Sequence, residues 1–262
     1  MPFPEAKRVI LKKNPLDSVV CQLRFPPILR IDTEIPSEFQ EAIRQEFPNY
    51  EEEIEFEQQI TPMIEAAGSR FELKVSKPSS AKNHSFSSED NNWRINLTRT
   101  FMAITATRYT RWEHMQSFFA VPLRSLLRIY NPPFFTRIGL RYIDVFCRSK
   151  LGLAGVDWAD LVEPYFLGIL SSAVRKNVGG YSCSSEISLD NNLSKVRILT
   201  MLVKAVGTNE DCFMLDCDFF RTKRTKDVEI DSVLETLHSH STRLLQFAIK
   251  KKLFESMEPD VL

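Results

Sequence analysis

The sequence predicts an α+β fold: a curved antiparallel β-sheet with long helices packed on one face, built by internal duplication of a strand–helix–strands–helix unit. Three observations predict it. Apolar and polar residues alternate in several runs, as in LDSVVCQLRF (16–25) and FTRIGLRYIDVF (135–146). Two long segments, 112–130 and 228–257, carry apolar residues at helical spacing instead. The order strand, helix, several strands, long helix then occurs twice, and a phrase recurs with it, DNNWRINLT at 90–98 and DNNLSKVRILT at 190–200. The two halves are 1–131 and 132–262, expected to form one compact unit.

The first strand, 16–25, puts Val19, Cys21, Leu23 and Phe25 on one face. Pro26 and Pro27 end it, because proline has no N–H to donate to a ladder. A helix is expected over 36–47, where Phe39, Ile43 and Phe47 form one stripe. The acidic run EEEIEFEQQ (51–59) has no clear state, FELKVS (71–76) alternates as a strand, and 78–92 reads as a loop in which Phe86 belongs to a short strand. Strands follow at 93–98 and 101–109, then the long helix over 112–130, which Pro122 should kink or divide. The second half opens with the strand at 135–146. A helix is expected near 157–171, then strands at 181–189, 195–206 and 211–221, then a helix over 228–257 about 40 Å long at ~1.5 Å per residue.

Composition narrows the function classes. The chain of 262 residues has 34 basic and 34 acidic residues, and each half carries 17 of each. Tight nonspecific nucleic-acid binding needs a cationic surface, which this balance does not supply. Nineteen Phe against eight Gly point to a well-filled core with few tight bends. The five cysteines (21, 147, 183, 212, 217) show no Cys-x-x-Cys and no zinc spacing, so buried reduced thiols are expected. Residues 1–15 lack a signal-peptide core and no apolar stretch approaches a membrane span, so a cytoplasmic location is expected.

Chemistry concentrates on one sheet face. If the apolar phase of each strand faces the helices, the other phase displays Gln22, Arg24, Arg94, Asn96, Thr98, Arg137, Arg141 and Lys195 or Arg197. In 211–221 the same phase carries Asp216 and Asp218. Cross-strand Arg–Asp pairing on a solvated face explains this pattern without a ligand. The functional alternative is a ligand-binding face of Arg24, Arg94, Arg137, Arg141, Asp216 and Asp218, since arginine suits bidentate contacts to phosphate or carboxylate. Asp216 and Asp218 also have an Asp-x-Asp spacing that can hold Mg²⁺, but no third ligand accompanies them, so no metal and no cofactor is assigned. His238 and His240 are two apart on a helix, do not face one another, and are expected to be exposed or capping. No Gly-x-Ser-x-Gly, P-loop or Gly-x-Gly-x-x-Gly occurs. The tryptophans are expected in core packing. The loop LRFPPILRID (23–32) offers Pro26, Pro27, Ile28 and Arg30 as a partner-docking edge if it is exposed.

LDSVVCQLRFPPILRID, NNWRINLT with YTRWE after it, and PPFFTRIGLRYID resemble an uncharacterised, sporadically distributed family of bacterial proteins of about this length. The resemblance spans nearly the whole chain, and RIGLRYI is its most specific part. It implies spread with mobile elements, in a defence or toxin–antitoxin context, and carries over no catalytic residue. The order of elements also resembles the duplicated saddle of TATA-binding protein and helix-grip domains, from whose basic DNA-binding form the neutral charge departs. The expectation is a non-enzymatic binding module for a protein partner, with no membrane. The alternatives are a nucleotide or nucleic-acid binder using the arginine face, and a metal-dependent enzyme acting on a phosphorylated ligand through Asp216 and Asp218.

Overall fold

The alternating runs become strands of a single nine-stranded antiparallel sheet. The computed structural model describes residues 1–54, 60–63, 72–75 and 82–261. In chain order the strands are β1 (Leu16–Arg24), β2 (Asn49–Ile54), β3 (Lys82–Ser87), β4 (Trp93–Leu97), β5 (Phe101–Ala106), β6 (Arg137–Phe146), β7 (Ser182–Leu189), β8 (Ser194–Lys204) and β9 (Asp211–Arg221). Across the sheet they run β7-β8-β9-β6-β1-β5-β4-β3-β2. The first strand of each half therefore pairs with the last strand of its own half and, at the centre, with the first strand of the other. One ladder, Arg24↔Arg137 to Leu16↔Asp144, joins the halves within the sheet.

The main helices are α1 (Ser37–Ile43), α2 (Trp112–Tyr130), α3 (Ile230–Ala248) and α4 (Lys251–Ser256). The face they cover carries the apolar phase of each strand: Val19, Cys21 and Leu23, then Ile138, Leu140 and Phe146, then Phe213, Leu215 and Phe219, all buried. Each fully buried Phe or Leu contributes about 1.5–3 kcal/mol by leaving water. Trp93, Trp112 and Trp158 are buried in this core as expected. A two-stranded ribbon, Val9–Leu11 with Pro259–Val261, ties the chain's two ends together, and Ile60–Met63 pairs separately with Glu72–Val75. Among the described residues no helix is long and apolar enough to cross a membrane.

Several expectations change. Pro122 lies inside one unbroken helix, α2, which ends where Asn131 adopts a left-handed conformation and donates its N–H to Leu126 and Leu127. The helix expected over 157–171 is instead a string of short turns, with only Pro164–Leu167 in α-helical form. The long C-terminal helix breaks at Ile249, which is extended because it pairs with Val162. Lys250 N–H then donates to Leu161 O at 2.8 Å, so a strand-like contact replaces a helical turn. Residues 82–87 form β3 rather than loop, with Phe86 fully buried. Asn49–Ile54 takes the first part of the acidic run as β2, and 55–59 and 76–81 lie outside the described residues.

The cysteine expectation is corrected in part. Cys147 and Cys212 form a disulfide beside the Phe146↔Phe213 pair of β6 and β9, closing a separation of 65 residues. Cys183 is exposed, while Cys21 and Cys217 are buried thiols held above the ordinary range chiefly by burial. The thiol count therefore gives no argument for a reducing compartment.

Candidate functional site

The polar sheet face assembles most of the arginines and aspartates that sequence spacing assigned to it. Arg141 lies directly opposite Asp218 in register, yet its guanidinium reaches diagonally to Asp216, with Nε–Oδ1 at 2.7 Å and Nη2–Oδ2 at 2.5 Å. Arg137 Nη2 donates to both oxygens of Asp218 at 2.7 and 2.8 Å, and its Nη1 donates to Gln22 Oε1 at 3.2 Å. Gly139 makes this possible. A Cβ there would sit 2.8 Å from the Arg137 Cζ, so the guanidinium lies across the glycine and stacks over Phe220 at 4.8 Å. Arg24 donates to Gln22 at 3.2 Å and lies over Phe101. Lys195 and Arg197 both pair with Glu186 on β7. Arg94 lies exposed on β4, two strands from β1, with no ion pair among the described residues.

Arg137, Arg141, Lys195 and Arg197 are thus each paired with a carboxylate of the face itself. Each aspartate of the Asp-x-Asp pair is engaged by an arginine, and among the described residues no cluster of three or more His, Cys, Asp or Glu could hold a metal. An incoming anion or cation would first have to separate these pairs.

The loop after β1 is held from several sides. Phe25 and Ile28 N–H donate to Thr100 and Arg99 O at 2.9 and 2.8 Å, and Arg30 Nη2 donates to Ile129 O at 2.6 Å. Ile31 is buried, and the fully buried His84 donates from Nε2 to its carbonyl at 2.9 Å, leaving Nδ1 to accept from Tyr50 Oη at 3.0 Å. On this pinned backbone Pro26 and Ile28 are half-buried and Pro27 and Arg30 exposed. Leu29 and Ile35 project with 64% and 70% of their surface exposed.

A third feature lies on the opposite, helix-covered face. Asp144 continues the apolar phase of β6 after Leu140 and Tyr142, and it is only 4% exposed. Its Oδ1 has no hydrogen-bond partner. Burial, reinforced by Asp216 on the other side of the sheet, pushes its carboxyl up from 3.8 to about 7. Beside it Tyr142 Oη meets His238 Nδ1 at 2.8 Å, and His238 Nε2 has no partner. Burial first, then the nearby Arg8 cation, pulls His238 down to about 4, so the ring is neutral at physiological pH. Trp112 stacks on the His238 ring at 4.8 Å and donates from Nε1 to Glu235 at 2.6 Å.

These groups line a cavity of about 100 Å³ between β6, β9, α3 and the N-terminal segment, with apolar walls that include Leu11, Leu16, Leu215, Leu244 and Leu245. A β-bulge between Leu16 and Ser18 lies directly across from Asp144. Bulges are over-represented next to active sites, where they re-aim side chains. A second hollow, of about 400 Å³, runs between α2 and α3 over Cys21, but the unpartnered buried atoms Asp144 Oδ1 and His238 Nε2 belong to residues lining the smaller one.

Sequence spacing did not identify Asp144 or His238. One signal was present: Asp144 is the single charged residue on the apolar phase of its strand. The histidine expectation is corrected by contacts from other elements. His240 is buried against Asp190 Oδ2 at 2.6 Å, and His238 is partly buried against Tyr142. No known family's sequence model matches the chain, and no curated protein matches it.

Proposed function

We propose that this protein is a non-enzymatic binding module that docks a protein partner, encoded beside it, through the loop at 26–35. One observation carries the reading: Leu29 and Ile35 project from a segment that four hydrogen bonds to other elements and the buried Ile31 hold in place. Large apolar side chains on a pre-organised loop lose little conformational entropy on docking, which favours affinity. Arg30 and the half-buried Pro26 and Ile28 complete an apolar centre with a polar rim. The arginine face serves as the scaffold's solvated side in this reading, because Arg137 and Arg141 at its centre are paired with Asp218 and Asp216.

Duplication of a strand–helix–strands–helix unit is part of the proposal. It is supported by the strand order, in which each half closes its first strand on its last and the two first strands meet at the centre.

The test is co-expression with the flanking genes, followed by size-exclusion chromatography with light scattering. A second polypeptide at fixed ratio is expected, and it should be lost from the double variant Leu29→Asp/Ile35→Asp while the melting temperature holds. A chain that elutes alone, or a partner that the double variant retains, overturns the reading.

A further inference from the structure

The cavity beneath the N-terminal segment plays no part in docking at the 26–35 loop. Its chemistry is also more selective than that of either surface. A carboxylate is an acceptor only, and a buried one needs donors to replace the water it has lost. Asp144 has an oxygen with no donor, in a cavity whose walls include several leucines and aromatic rings. Two cations line the same cavity: Arg8 is committed to Glu113 at 2.5 Å, and Arg111, just before α2, is exposed to solvent. Among the described residues no ion pair involves Asp144.

We propose that this cavity binds a small organic cation, a primary ammonium on a short apolar body, with its head group on the Asp144 carboxylate. Four observations converge on this class. The unpartnered oxygen asks for a donor, and a charged donor also restores the neutrality that burial demands. The rings of Tyr109, Trp112 and Tyr142 line the cavity and offer π faces to a cation. The leucine walls suit a short alkyl body. An anion would meet Asp144, with Asp216 behind it across the sheet. A volume of about 100 Å³ accommodates roughly three to five non-hydrogen atoms, judged against the ~30 Å³ share of a liquid water molecule. Burial that lifts the Asp144 carboxyl to about 7 leaves it poised, so that a cation draws it into the ionised form. The bulge at Asp17, opposite, explains how the chain opens room at the end of this ladder.

The test uses the full chain, ¹⁵N-labelled, titrated with n-butylammonium and, in parallel, with 1-butanol and butyrate. Saturable shifts are expected in the amides of Asn14, Tyr109, Ser241 and Thr242 with n-butylammonium, and binding of 1-butanol at least about tenfold weaker. Asp144→Asn should weaken the ammonium at least about tenfold, whereas Asp216→Asn, on the other face, should keep it. Leu245→Trp fills the cavity from the helix side and should abolish binding, so the question stays decidable if Asp144→Asn fails to fold. Equal binding of 1-butanol, unchanged binding by Asp144→Asn or Leu245→Trp, or shifts confined to other surfaces would each overturn the proposal. The Leu29→Asp/Ile35→Asp variant should bind n-butylammonium normally, which separates this site from the docking loop.

Discussion

Replacing Asp144 by Asn should stabilise the protein, and the gain should grow as the pH rises. The unfolded chain titrates Asp144 near 3.8, whereas burial and Asp216 hold the folded form near 7. Between those values the folded state keeps a proton that the unfolded state has lost. Stability therefore falls as pH rises through the window. At 1.36 kcal/mol per pH unit, a window of about three units corresponds to about 4 kcal/mol. His238 acts in the opposite sense. Its folded value of about 4 lies below the ordinary 6.5, so stability falls as pH drops through that interval. In the wild type the two slopes nearly cancel over the shared range, and a wild-type stability curve alone is close to level. The variant keeps His238, so the difference between the curves isolates Asp144. Urea unfolding followed by tryptophan fluorescence, from about pH 4 to about pH 8, should show a difference that grows by about 4 kcal/mol in favour of Asn. The amide's own unpaired group shifts that difference by a constant without changing its slope. A difference independent of pH would refute the reasoning, because it would mean that Asp144 ionises in the folded state as easily as in water.

Gly139→Ala should push the Arg137 guanidinium away from Asp218 at a cost of about 1 kcal/mol, measured by urea unfolding; a variant structure with the pair intact would contradict this. Reducing the Cys147–Cys212 bond should lower stability by up to about 4 kcal/mol, as chain entropy predicts for a separation of 65 residues, and melts with and without a thiol reductant measure it. Leu29→Asp/Ile35→Asp should change unfolding stability by less than about 0.5 kcal/mol, because both side chains already face solvent; a larger loss would place them in the folded core instead.

The sheet was legible because period-two alternation is local: β1, β4, β5, β6, β8 and β9 each announce their buried phase within a few residues. The Arg–Asp face followed from the same alternation, since Arg137, Arg141, Asp216 and Asp218 all occupy the phase opposite the buried apolar residues of their strands. What sequence could not supply was partnership between distant elements. The break at Ile249 depends on Val162, some ninety residues away, and nothing in a helical stripe reports it. His238 and His240 read as polar because their partners, Tyr142 and Asp190, come from other elements. Asp144 was visible as a charge in the wrong phase, but its meaning depends on its buried Oδ1 finding no hydrogen-bond partner. The role of Gly139 has no local signal either, and only the arm of Arg137 laid across it gives the reason for a glycine there.

The diagonal reach of the two arginines also bears on how the strands find their alignment. A slip of one residue between β6 and β9 would turn every buried Phe and Leu outward, and the alternating pattern forbids it. A slip of two keeps every side chain on its proper face, so burial alone does not oppose it. Shifted one way, Arg141 would meet Met214 in place of Asp216; shifted the other way, Arg137 would meet Phe220 in place of Asp218. The paired charges on a solvated face, modest as stabilisers, act as teeth that let the two strands engage in one alignment.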